Sequence, residues 1–342
     1  MTSIDSDVPA EVPVEVPVEV LVLAELNPDL LLSAPSATVS FGQVETELSD
    51  SRLTLGSSGA ITAAALAALG VPVGLCATVG DDEFGRGAVT MLRAAGVDAS
   101  AVIVRPELRT GITVVVNAPG GDRALLTYPG AMAALAAGDV PPAALARARH
   151  VHVSSIFLQH ALRPGLAALL KDLRDRGVST SLDTGWDPAQ RWDDIAELLA
   201  HLSLLLPNAA ELEQLCARLD IEATPGSPDW FVEPARALAR RGPTVAVKLG
   251  GNGGYVTDGT AEGSWQICTE PLEPVDTTGA GDNFNAGYLS GLLAGAAPAD
   301  CLAAAIAAGR VSVTGHGGTG RLLTPAERDA EVARLSPTAH RP

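Results

Sequence analysis

From about residue 140 the chain alternates short apolar runs with helical stretches of about 10 to 15 residues, and nothing else restricts its fold as much. Strand candidates are 151–154, 178–182, 202–206 and 244–248. Uninterrupted apolar runs suit strands buried on both faces, and strand–helix–strand units connect them as parallel neighbours. Upstream, 20–24 and 71–79 read as two more buried strands, and 59–69 as an Ala/Leu helix closed by Gly70. Residues 282–296 and 298–312 read as two closing helices rich in Ala and Gly. The expected class is α/β with a mostly parallel central sheet.

Two segments break this rhythm. In 38–55 the apolar residues Val39, Phe41, Val44, Leu48 and Leu53 are scattered among polar ones without a helical stripe. In 110–128, Ile112 to Val116 precedes the hairpin signal Pro119-Gly120-Gly121-Asp122. Both read as short strands of an accessory sheet, a lid. Lid strands expose edges, and such edges suggest pairing with a second copy as a homodimer. Residues 1–18 form a low-complexity tail with Pro9, Pro13 and Pro17, expected to be disordered. Residues 19–335 are expected to form one domain.

Charge and composition exclude several classes. A net charge of −17 with no Lys/Arg cluster would repel nucleic-acid phosphates and anionic membrane surfaces. Only 4% of residues are aromatic, so Ala, Leu and Val must fill the core. Cys76, Cys216, Cys268 and Cys301 are far apart, with no Cys-x-x-Cys pair, as expected of thiols in a reducing compartment. The six histidines lack metal-ligand spacing. No secretory signal or bilayer-length apolar run is present, and a cytoplasmic location is expected.

The chemistry concentrates in Asp276-Thr277-Thr278-Gly279-Ala280-Gly281-Asp282-Asn283-Phe284. A Gly-Ala-Gly turn feeding a helix presents backbone amides and a positive dipole end to an anion. Small residues there let a phosphate approach closely. Asp282 inside such a turn has a useful task, which is to take a proton from a hydroxyl as a phosphoryl group arrives. Its plain alternative is a helix cap.

That string resembles the C-terminal signature of the PfkB-type, ribokinase-like carbohydrate kinases. Other motifs recur in the family's order over about residues 20 to 320. Glu25-Leu26-Asn27-Pro28-Asp29 resembles its first-strand substrate motif, and Gly56-Ser57-Ser58-Gly59-Ala60 its glycine motif. Gly80 to Gly85 is similar to a family turn, in which Asp81 and Asp82 read as turn and cap residues. Asn208-Ala209-Ala210-Glu211 resembles its Asn-x-x-Glu motif, and Val247-Lys248-Leu249-Gly250 through Gly253-Gly254 its nucleotide strand. The resemblance implies a ribokinase-like three-layer fold with a lid, and phosphorylation of a sugar or sugar-like hydroxyl by ATP. It implies Asp282 as general base, with the amides of Gly279, Ala280, Gly281 and Asp282 as anion hole. Asn27, Asp29, Gly56 and Ser57 would hold the substrate. Asn208, Lys248, Gly250, Gly253 and Gly281 would line the ATP site. Glu211 would hold hydrated Mg²⁺, and Asp276 and Thr278 match positions that bind K⁺ in some members.

Three features set this chain apart. Ile61 stands where the glycine motif usually has an Asn, and the strand at 151–156 lacks the Glu found in ribokinase. Both lie on the substrate side and argue against ribose. Gly315-His316-Gly317-Gly318-Thr319-Gly320 matches a dinucleotide fingerprint literally, but it follows a helix and only 22 residues remain after it. It reads as a flexible turn near the nucleotide. No Gly-x4-Gly-Lys-Ser/Thr loop is present. A nucleoside kinase of the same fold and a non-catalytic sugar-binding regulator are the competing functions.

Overall fold

The computed structural model describes residues 18–34, 42–117, 123–270 and 272–341. Fourteen strands are present among them: β1 (Val20–Leu23), β2 (Pro28–Ser33), β3 (Asp50–Leu55), β4 (Val73–Cys76), β5 (Thr78–Gly80), β6 (Ile103–Arg105), β7 (Ile112–Asn117), β8 (Arg123–Tyr128), β9 (His150–Ser154), β10 (Ser179–Asp183), β11 (Leu204–Leu205), β12 (Thr244–Lys248), β13 (Gly253–Thr257) and β14 (Trp265–Cys268). The α-helices are α1 (Ser58–Ala68), α2 (Glu83–Ala94), α3 (Pro142–Arg147), α4 (Arg163–Asp175), α5 (Ile195–Leu199), α6 (Ala209–Arg218), α7 (Val232–Ala239), α8 (Ala280–Leu293), α9 (Pro298–Ser312) and α10 (Pro325–Leu335).

Eight strands form the central sheet in the order β14-β13-β12-β11-β10-β9-β1-β4. The run from β4 to β12 is parallel, and β13 and β14 close the edge antiparallel. The strands alternate their side chains between two cores. Val20 and Val22 of β1 pack with α1, α8 and α9, while Leu21 and Leu23 pack with α4, α6 and α7. That division explains the all-apolar run at 20–24. It produces three layers, helix on sheet on helix.

β3-β2-β7-β8 form a separate four-stranded sheet, and β5-β6 a small third one. Part of the expected lid is therefore corrected. Among the described residues of the segment 38–55, only 50–55 form a strand, β3, and its partner is β2, which begins within the first-strand motif. The apolar run Leu30-Leu31-Leu32 hides this, because it reads as core rather than accessory sheet. The residues of 110–128 do pair, as β7 with β8. The tail at 1–17, the positions Val39 and Phe41 and the turn at 119–122 lie outside the described residues. The closing helices match their expected places, with α8 starting two residues early. Among the described residues no helix is long and apolar enough to cross a membrane. All four cysteines are free thiols.

Candidate active site

In an open α/β sheet, ligands collect at the carboxyl ends of the strands. Glu25 and Asn27 follow β1, Ser155 follows β9, Asp183 ends β10, Asn208 follows β11 and Lys248 ends β12. Three adjoining cavities lie along this edge. The first, about 230 Å³, is lined by Glu25, Asn27, Asp29, Ser58 and Asp282 beneath Thr113, Leu125 and Thr127 of the four-stranded sheet. The second, about 320 Å³, holds Asp183, Asn208, Glu211, Lys248, Gly281 and Asp282. The third, about 250 Å³, is mostly apolar, with Leu272, Pro274, Phe284, Ile306 and Val313 around Lys248 and Gly281. Asp282 belongs to the first two cavities and Gly281 to the last two, so these neighbours mark the junctions of a continuous trench.

α8 begins at this junction. Gly279 caps it with φ +73°, and an added Cβ would lie 2.6 Å from the Gly318 Cα. A side chain is excluded there on both counts. The first turn of an α-helix leaves its amides without intrahelical partners, and Gly279, Ala280 and Gly281 line the cavities here, with the Ala280 amide donating to Thr277 O at 3.3 Å. Asp282 lies in that first turn. Its Oδ1 accepts a short hydrogen bond from Ser58 Oγ, which is also 2.9 Å from Ser154 Oγ. Burial, aided by the Asp183 charge, pushes Asp282 up to about 8, with Ser58 and Lys248 opposing. A carboxyl held near working pH is a stronger proton acceptor than an ordinary one once ionised.

Lys248 donates to Asp183 Oδ2 at 2.6 Å, and Asn285 Nδ2 donates to the same oxygen at 2.5 Å. Burial opposes the charge on Asp183, yet the Lys248 cation holds it below the usual carboxylate range. Glu211 and Asn208 form a reciprocal cap on α6. Asn208 Oδ1 accepts from the Glu211 amide and Glu211 Oε2 from the Asn208 amide, both at 2.9 Å. Burial and the Asp183 charge push Glu211 up to about 7. Asp183, Glu211 and Asp282 surround Lys248, and a hydrated Mg²⁺ would need only one or two such oxygens. Among the described residues no three His, Cys, Asp or Glu side chains converge as a closed metal cage.

The first-strand motif lies across the cleft. Asn27 Nδ2 donates to Asp29 Oδ1 at 2.9 Å and to Pro28 O at 3.1 Å. Gly56 sits directly behind Asp29, where a Cβ would fall 2.0 Å from Oδ1. Ser57, at φ +73°, spends its hydroxyl on Glu25 O and on the α1 cap. Asp276 accepts from the amides of Thr278 and Gly317, each at 2.8 Å, tying the loop before α8 to the 315–320 loop. That second loop is not the loose turn expected. Its Gly318 packs on Gly279 and Ile61, and Gly318 O accepts from Asn283 Nδ2 at 3.0 Å. Ile61 is buried in the same wedge.

The candidate catalytic, substrate, nucleotide and metal residues named from the sequence lie along this trench or directly behind it, whereas Asp81 and Asp82 lie at the start of α2. Glu25, Ser58, Asp183 and Asn285 also belong to it and were not singled out. Asp183 directly follows the expected strand at 178–182, the same end-of-strand signal that marks Asn27.

The pfkB family carbohydrate kinase model matches residues 19–325. A 2-dehydro-3-deoxygluconokinase of Bacillus subtilis is 30% identical over 81% of this chain and 86% of its own length. A fructokinase of Klebsiella pneumoniae is 32% identical over 73% of this chain and 80% of its own. Among solved structures, a putative Ribokinase II of E. coli in complex with ATP and Mg²⁺ superposes with a TM-score of 0.77 at 22% identity, covering 93% of this chain and 99% of that one. Fold and relatives together define a carbohydrate kinase. The chain belongs to the pfkB family of carbohydrate kinases.

Proposed function

We propose that this kinase transfers the γ-phosphate of ATP to a hydroxyl of a sugar or sugar-like molecule, with Asp282 as general base. The observation that carries it is the position of Asp282, a carboxyl shared by the acceptor cleft and the oxygen-rich middle cavity, beside the amide-lined start of α8.

Asp282 Oδ takes the acceptor proton as the oxygen attacks, and Ser58 steadies that carboxylate. The amides at 279–282 bind charge developing on the transferred group. Lys248, Gly250 and Gly253 border the apolar third cavity, where the adenosine end of ATP fits. Asn208 and Glu211 would hold hydrated Mg²⁺ through the oxygens left by their mutual cap. The ion, when bound, neutralises charge on the phosphates. Asp276 and Thr278 shape the loop before α8. Both Asp276 oxygens are engaged by amides, so any K⁺ there would rest on backbone carbonyls.

A sugar fits the acceptor cleft better than a nucleoside. The described lining residues include no aromatic ring on which a base could stack. An ATP-consumption screen over sugars and nucleosides tests the proposal. Expected is Mg²⁺-dependent ADP release that requires a sugar. Release with nucleosides alone, or without any acceptor, would refute it.

A further inference from the structure

Residues in register across a parallel sheet point to the same side. His150 and His152 of β9 stand in register with Val20 and Val22 of β1, which pack with α1, α8 and α9, and with Ser179 and Ser181 of β10. Both imidazoles therefore lie between the sheet and its α8 layer, fully buried. Buried polar atoms are ordinarily satisfied, and three of the four ring nitrogens are. His152 Nε2 has no hydrogen-bond partner. On α8, Asn285 is also fully buried, and its Oδ1 has no partner either, while its Nδ2 donates to Asp183 Oδ2. Asp183 follows Ser181 by two residues on the same face of β10, about 7 Å along the strand, so the two open atoms belong to adjoining layers of one interior space.

The proton positions follow from the chain of contacts. Burial keeps both rings neutral, pushing His150 down to about 3 and His152 down to about 4, so each carries one N–H. Ser179 Oγ donates its single proton to Arg149 O at 3.2 Å, so it accepts from His150 Nδ1, 2.8 Å away. His150 Nε2 is then bare and accepts the Ser181 hydroxyl proton at 2.7 Å. Ser181 Oγ in turn accepts from His152 Nδ1, also at 2.7 Å, which leaves His152 Nε2 as a lone pair. Asn285 turns its amide protons to the Asp183 carboxylate, which only accepts, so Oδ1 offers lone pairs as well. Two acceptors cannot satisfy one another. A molecule that donates twice serves both, and water is the donor small enough for an enclosed site.

We infer that a buried water donates one proton to His152 Nε2 and the other to Asn285 Oδ1, and that His152 is thereby a positioning residue for Lys248. The path runs from His152 through the water to Asn285, from Asn285 to Asp183, and from Asp183 to the Lys248 ammonium at 2.6 Å. Lys248 borders the cavities proposed to take Mg²⁺ and ATP, so its need for positioning rests on the proposed function, whereas the tautomer and the water do not.

Two measurements on the full chain test this. In ¹⁵N-histidine-labelled protein, two-bond nitrogen–proton correlations should show His150 and His152 as neutral Nδ1–H tautomers, and a water cross-peak should reach the His152 ring protons. An Nε2–H or charged His152, or no water cross-peak, would overturn the inference. Calorimetric binding of ATP with Mg²⁺ reads the positioning role without needing turnover. His152→Leu should raise the dissociation constant about tenfold, and should raise it no further when combined with Asn285→Leu or with Lys248→Met. An equal loss in those backgrounds would show that His152 does not act through Lys248 and would overturn its positioning role. Should His152→Leu fail to fold, the tautomer and the cross-peak in the unsubstituted chain decide. If the unsubstituted chain binds no ATP, the proposed function fails and the spectroscopic result still upholds or overturns the inferred water.

Discussion

Lys248→Met removes the only cation within hydrogen-bond reach of Asp183 among the described residues. The pair is buried, with side chains 10% and 6% exposed. Removing one partner leaves an uncompensated buried carboxylate, a loss of about 3–5 kcal/mol. For a chain of this length that corresponds to a fall in melting temperature of about 4–7 °C. The loss should depend on pH. With Lys248 present, Asp183 lies below its ordinary range, so the pair stabilises the fold above the unfolded carboxylate pKa and fades as pH falls through the folded value. Without Lys248, burial raises Asp183, and stability is kept at low pH and lost as pH rises through the raised value. Urea denaturation at pH 5 and pH 8 should therefore show a small deficit at the lower pH and the full one at the higher. Lys248→Met combined with Asp183→Asn should recover most of it. A deficit below about 1 kcal/mol at pH 8, or one equal at both pH values, would refute the pairing energetics.

In the proposed mechanism Asp282 acts deprotonated, and it is held up to about 8, so kcat/KM should rise with pH to a limb near that value. Ser58→Ala, which removes a hydrogen bond opposing that shift, should move the limb higher; a limb near pH 4 in the wild type would contradict this. Gly56→Ala would drive the Asp29 carboxylate from its place. Since the end of a flexible side chain yields rather than backbone, KM should rise about tenfold or more while the melting temperature changes by less than about 2 °C. Leu53, Leu126 and Tyr128 are exposed on the face of the four-stranded sheet turned away from the cleft, an apolar surface suited to a second copy. Light scattering should give the mass of two chains, and of one chain in Leu126→Asp; a monomeric wild type at micromolar concentration would dismiss the dimer.

The strands and helices after residue 140 were legible from the regular alternation of short strand runs with Ala- and Leu-rich helices, although β9 and β10 also bury His, Ser and Thr. The glycine-framed start of α8 was legible because Gly279 and Gly281 have few other reasons to flank Ala280 there. What escaped were contacts between distant segments. Asp183 meets Lys248 and Asn285 only once β10, β12 and α8 are assembled, and no local spacing signals that meeting. The same holds for Ser58 with Asp282 and for Gly318 with Gly279. The buried histidines of β9 illustrate the converse. His150 and His152 share Ser181 Oγ at 2.7 Å, and burial holds them neutral, pushed down to about 3 and about 4. Both lie buried inside the sheet, where His152 Nε2 has no hydrogen-bond partner.

The most direct test is Asp282→Asn, assayed for ADP release with the best acceptor sugar and checked for native folding by circular dichroism. Loss of the proton acceptor should lower kcat about 10²- to 10⁴-fold and leave the acceptor KM within a few-fold. Undiminished turnover in a correctly folded variant would contradict the mechanism.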